Sequence, residues 1–163
     1  QHFSEKNNEN LFFIPALNGL GAPFWNSKIK ASIEGINFAS NRESIIKAAL
    51  ESVAFSTKAV IDSISNKTKI NFKTLKVDGG LTNNKFLMQF QADLLGIPIL
   101  VSENTEMTCL GVARLASEKI MEKLEYDNDY KKYLPNKNNM TLLRDKYNIW
   151  MDKVRNNISI VEE

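Results

Sequence analysis

Apolar residues recur along this chain in two rhythms. At Ile45, Ile46, Ala49, Leu50, Val53, Val60, Ile61 and Ile64 they fall at helical spacing, the mark of one buried helix face. Ser40 with Glu43 three residues later reads as a capping box, so a helix is expected over about 41–64. Residues 84–95 carry Phe86, Leu87, Phe90 and Leu94 on one face and stop at Gly96, with Pro98 beyond to prevent continuation. A third helix is expected over 108–121. A fourth, over 141–157, carries a stripe of Leu143, Tyr147, Trp150, Val154 and Ile158. The second rhythm is one of short apolar runs bounded by Pro, Gly and Asn. It marks strands at 11–14, 31–37, 74–77 and 97–102. Gly19, Gly21 and Pro23 make 18–26 a loop, with Phe24 and Trp25, like Phe13 before them, expected as core anchors.

Strands alternating with helices over 70–121 imply βαβ units and a parallel sheet. The organisation expected is a loose segment over 1–10, one α/β domain over 11–121, and a C-terminal helical extension over 122–163. The charged, asparagine-rich stretch 122–139, with Pro135 inside it, is expected as loop or weak helix.

Composition removes several function classes. Of 163 residues, 43% are hydrophobic and 25% charged, enough apolar side chain for a core. Apolar runs such as 11–14 and 97–101 fall far short of the roughly 20 residues a bilayer requires, so no membrane span is expected. Twenty-one Lys and Arg against 19 Asp and Glu leave a charge of +2, too balanced for a nucleic-acid footprint. The one cysteine, Cys109, excludes a disulfide scaffold and is expected as an inert, partly buried thiol. The one histidine, His2, lies in the loose segment, which argues against a histidine base. No Cys/His cluster offers a zinc site. With no signal-type segment at the N-terminus, a cytoplasmic location is expected.

The most informative segment is Leu75-Lys76-Val77-Asp78-Gly79-Gly80-Leu81-Thr82-Asn83-Asn84. It is a strand, a glycine pair and a helix start, and open α/β sheets hold ligands at the C-terminal ends of strands. Two readings are open for Gly79 and Gly80. They form either a turn that lets backbone N–H groups approach a phosphate, or a tight turn that needs glycine for a positive φ. Asp78 suits a metal ligand, a base or an Asx hydrogen bond holding the turn. Asn84 suits a nucleobase contact or the helix cap, a place Thr82 or Asn83 fills equally well. Gly111, in the next helix, suits ligand approach or close helix packing.

Several segments together resemble one family. They are Phe13-Ile14-Pro15-Ala16-Leu17-Asn18-Gly19-Leu20-Gly21-Ala22-Pro23-Phe24-Trp25, Ile45-Ile46-Lys47-Ala48-Ala49-Leu50-Glu51-Ser52-Val53-Ala54-Phe55 and Val77-Asp78-Gly79-Gly80. Asn84, Phe86-Leu87-Met88-Gln89-Phe90-Gln91-Ala92-Asp93-Leu94-Leu95-Gly96, Glu106-Met107-Thr108-Cys109-Leu110-Gly111-Val112-Ala113 and Tyr147-Asn148-Ile149-Trp150 complete the set. In order and spacing they resemble the C-terminal domain of the FGGY carbohydrate kinases, most closely the members that phosphorylate glycerol. Asn18, Asn26 and Lys30-Ala31 depart from the family's usual Thr, Asp and Arg-Gly.

The resemblance implies an actin-like, ribonuclease-H-like ATPase domain lacking its first strands, and ATP-dependent conversion of glycerol to glycerol 3-phosphate. It implies that ATP or ADP meets the backbone at Gly80, with Asn84 near the adenine. Asp78 and Gly79 complete the turn, and Gly111 lies near it. It places no catalytic base and no metal ligand in this chain. Those, with most of the hold on magnesium and all of that on glycerol, belong to an N-terminal half, joined or separately encoded. Phosphoryl transfer needs both walls of the cleft, so the chain alone is expected to be catalytically incomplete. Another polyol as substrate, or a non-catalytic remnant, is the alternative.

Overall fold

The computed structural model describes residues 10–103, 106–117 and 129–162. They fall into two compact units, Gln1–Asn71 with Asn138–Glu163 and Phe72–Lys137. The N-terminal segment 1–9 and residues 118–128, on which parts of the expected loose segment, third helix and following loop fall, lie outside the described residues.

In the first unit β1 (Phe12–Ile14) and β2 (Ser32–Glu34) pair antiparallel, with Phe13 opposite Ile33. Against β1 packs α1 (Arg42–Thr68). Its cap lies one residue later than expected. The Asn41 side chain accepts from the Ser44 amide at 2.8 Å and Ser44 Oγ accepts from the Asn41 amide at 2.9 Å. Ser40 Oγ is engaged instead by the Asn37 amide in the preceding turn, at 2.9 Å. The helix runs past Ile64, the last apolar residue of its pattern, until Lys69 turns left-handed at φ 60° and donates its amide to the Ser65 carbonyl. A terminating backbone conformation ends it. The buried face is not the expected one: Ser44, Ala48, Glu51, Ser52, Ala54, Phe55 and Ala59 are buried, while Ile45, Ile46 and Ile64 are exposed.

The long helix at the C-terminal end of the chain, Met140–Glu162, keeps its expected stripe: Tyr147, Trp150 and Val154 are buried. It belongs to the first unit, whose core also holds Leu11, Phe12, Ile14, Ile29 and Phe55. Trp25 corrects an expectation. It is 78% exposed, because the amides of Phe24 and Trp25 both bond the Gly21 carbonyl and turn the loop outward. Phe24 alone of that pair points inward, edge-on to Trp150 with centroids 6.3 Å apart.

The second unit is built on β3 (Leu75–Val77), α2 (Lys85–Leu95) and β4 (Ile99–Ser102). The strands run parallel with Leu75 opposite Ile99, which is the expected βαβ connection. Gly96, at φ 67°, caps α2 as its sequence indicates. α3 spans Met107–Ser117, and the C-terminal helix Met140–Glu162 is α4. The sequence reading did not contain β5 (Tyr130–Tyr133), which pairs antiparallel with β4 and makes the sheet mixed. Its Tyr-Lys-Lys-Tyr sequence has no apolar run. Among the described residues it is an edge strand, where lysine is favoured because it discourages further pairing. Buried Asp93 on α2 secures the segment after β5, accepting from the Asn136 amide at 2.8 Å and from Gln89 Nε2 at 2.7 Å. Among the described residues no helix is long and apolar enough to cross a membrane.

Candidate nucleotide site

β3 ends at Val77, and the chain leaves the C-terminal edge of the sheet through Asp78 and Gly79. Gly79 adopts φ 94° and ψ 172°, a conformation open essentially to glycine alone. A 3-10 turn follows over Gly80–Asn83. Thr82 locks it, its amide and its hydroxyl both donating to the Gly79 carbonyl, at 3.0 and 2.6 Å. Asp78 makes no such bond among the described residues, so Thr82 and not an Asx contact holds the turn.

Asn84 settles one open question. Its Oδ1 accepts from the Leu87 amide at 3.1 Å, which makes it the N-cap of α2. Thr82 and Asn83 lie inside the preceding turn and do not serve. Asn84→Ala is expected to cost about 0.5–2 kcal/mol through the lost cap. Thermal unfolding of wild type against variant measures it, and an unchanged midpoint would contradict the assignment.

The two glycines of the turn differ. Gly79 is required by its positive φ. Gly80 has no positive φ, and a Cβ placed on it would meet no atom within 4 Å. Among the described residues, neither backbone conformation nor internal packing therefore explains Gly80. A Cβ on Gly111 likewise meets nothing within 4 Å, so close packing among the described residues does not account for that glycine either.

Asp78 lines a cavity of about 210 Å³ with Lys76, Val77, Ser102, Met107 and Tyr130. Gly79, Gly80, Asn84 and Gly111 are not among its lining residues. Lys76 Nζ sits 4.7 Å from the centre of the Tyr130 ring. The sequence reading missed Lys76, Ser102 and Tyr130. Lys76 was within reach of it, since alternate strand residues share a face and Asp78 is two positions on. Tyr130 was not, because β5 was not legible. Cys109 is exposed, not partly buried as expected, because α3 buries no residue among those described. Among the described residues no group of three or more His, Cys, Asp or Glu is placed to hold a metal ion.

Residues 3–118 match the FGGY family of carbohydrate kinases, C-terminal domain. The chain belongs to that family. Over 113 residues this FGGY domain is 45% identical to a glycerol kinase of Aquifex aeolicus, covering 69% of this chain and 23% of that protein. A glycerol kinase of Streptococcus pneumoniae is 46% identical over 110 residues, 68% of this chain and 22% of the relative. The chain thus spans less than a quarter of the length of these curated relatives. The solved glycerol kinase of Plasmodium falciparum with ADP superposes with a TM-score of 0.76 at 33% identity, covering 93% of this chain and 31% of that one. A xylulose kinase of Rhodospirillum rubrum reaches a TM-score of 0.79 at 17% identity, a likeness of fold alone. The fold of this FGGY chain is accordingly α/β and actin-like, as expected. One of its departures is chemically small. Asn26 Oδ1 accepts from the amides of Lys28 and Ile29 at 3.0 and 3.2 Å, and a carboxylate oxygen would do the same.

Proposed function

We propose that this chain supplies the nucleotide-binding part of an ATP-dependent glycerol kinase. Its kinship with glycerol kinases from two bacteria supports glycerol as the acceptor. The observation that carries the nucleotide reading is Gly80, a glycine with neither a positive φ nor a neighbour where its side chain would be. The space it leaves is where a phosphate oxygen approaches backbone N–H groups, and the nearby N-terminus of α2 favours negative charge.

Bound ATP, with Mg2+, would supply the phosphoryl group. The residues here bind and orient it. Gly79 shapes the turn and Gly80 clears the approach. Asn84 has spent its oxygen on the Leu87 amide, so its Nδ2 is left as a donor, suited to an acceptor nitrogen of the adenine ring. Asp78 and, on α3, Gly111 complete the wall. The proton-accepting base, most of the hold on magnesium and the glycerol pocket belong to the upstream part of such a kinase, joined to this chain or supplied separately. Because ATP is a cytoplasmic metabolite, the reading carries a cytoplasmic location with it.

The test separates the two glycines. Gly79→Ala is expected to destabilise by about 1–3 kcal/mol, because alanine resists φ 94° with an extended ψ. Gly80→Val should leave the unfolding midpoint nearly unchanged and weaken ADP in calorimetric titration of the chain joined to the upstream part of a related glycerol kinase. Equal ADP affinities for wild type and Gly80→Val would place the nucleotide elsewhere.

A further inference from the structure

We propose that the first unit carries a second small-molecule site, a groove between α1 and α4 that takes a neutral polyhydroxy compound of monosaccharide size. The proposal does not rest on the nucleotide reading.

A cavity of about 400 Å³ opens where the facing stripes of the two helices turn from apolar to polar, within the range of small-molecule pockets. Nearer the core the stripes meet through Phe55, Tyr147 and Trp150. Beyond it, α1 presents Asp62 and Asn66, and α4 presents Asn148, Asp152 and Arg155. Ala59 and Met151 give the groove an apolar part.

Charge decides the ligand class. Asp62 is neutralised by Lys58 Nζ at 3.0 Å, and Asp152 by Arg155 at 3.3 Å. The walls therefore carry no net charge and draw neither an anion nor a cation. What they offer is hydrogen bonding. Tyr147 and Asp62 line the groove together. Burial, reinforced by the nearby Asp62 charge, keeps the Tyr147 phenol protonated far above the ordinary tyrosine range, so it is a hydrogen-bond donor at any physiological pH. The side-chain amides of Asn66 and Asn148 make no hydrogen bond among the described residues. Each offers a donor and an acceptor together, which is what a pair of neighbouring hydroxyls presents in complement. The apolar part suits the C–H face of a carbon chain or ring.

The experiment is an NMR titration of the full 163-residue chain, following the Asn side-chain NH2 signals. The probes are D-glucitol and D-glucose, with inorganic phosphate and ammonium chloride as charged comparisons. A probe of about a dozen non-hydrogen atoms at about 0.3 kcal/mol each binds in the millimolar range. Saturable shifts at Asn66 and Asn148 with a polyol are expected, and none with the charged probes. Asn148→Leu, an exposed helix position, should weaken binding roughly tenfold through two lost hydrogen bonds, and Asn66→Ala repeats the test on the other wall. Shifts that do not saturate, that follow phosphate or ammonium instead, or that survive both substitutions in a folded chain overturn the proposal.

Discussion

Replacing Trp150 by alanine is expected to remove about 3–5 kcal/mol of stability by emptying the largest buried side chain of the first unit. Trp150 is 0% exposed. Its ring lies 5.6 Å from Phe55 and 6.3 Å from Tyr147, centre to centre. Alanine would remove the indole from between these rings, in a core too closely packed to collapse fully. A second loss adds to the first. Trp150 Nε1 donates to the Phe13 carbonyl at 2.9 Å, in the middle of β1. Losing that hydrogen bond adds a further cost of about 0.5–1.5 kcal/mol. Whole domains are stable by only about 5–15 kcal/mol, so the variant should sit close to unfolding. Urea denaturation followed by circular dichroism measures the change. Trp150→Phe keeps much of the volume but loses the donor, and should fall between wild type and Trp150→Ala. A drop below about 1 kcal/mol for Trp150→Ala would mean that the aromatic cluster does not organise this core.

Lys146→Met should be nearly as damaging, for an electrostatic reason. Lys146 Nζ lies 2.6 Å from Glu51 Oε2, and the side chain of Glu51 is only 3% exposed. Removing the lysine leaves a carboxylate buried without its counter-charge, at a cost of about 3–5 kcal/mol. Removing both charges, as in Glu51→Leu with Lys146→Met, should recover most of that loss, because a packed apolar pair needs no compensation. The double-mutant cycle is the measurement. Additive losses in the two single variants would show that the two charges do not depend on each other.

How much of this was legible in the sequence depends on which interaction fixes each part. α2 was read nearly to the residue, because an apolar stripe, a cap and a left-handed glycine all lie inside one short window. The start of α1 was read one residue early, since Ser40 and Asn41 are both good caps and only the turn at Asn37 decides between them. β5 was missed because pairing with β4 creates it, and pairing partners distant in sequence leave no local trace. At the candidate site the glycine pair was legible, but the division of labour within it was not. The sequence leaves close approach and positive φ open to either glycine, and only the backbone shows that the positive φ belongs to Gly79. Trp25 misled because size and aromaticity suggest burial, while the hydrogen bonds to Gly21 direct it outward.

The inner face of α1 is unusual in what it buries. Beside Phe55 and Glu51 stand Ser44, Ala48, Ser52, Ala54 and Ala59, all small. Such a face constrains its residues by an upper limit on volume more than by a demand for oiliness. Apart from Ser44, whose hydroxyl completes the cap, serine and alanine can exchange there at modest cost, while added bulk has to displace packed neighbours. Over evolutionary time this helix is therefore free to drift in polarity and held fast in bulk. A hydropathy profile under-reads it, and a profile of side-chain size would find it.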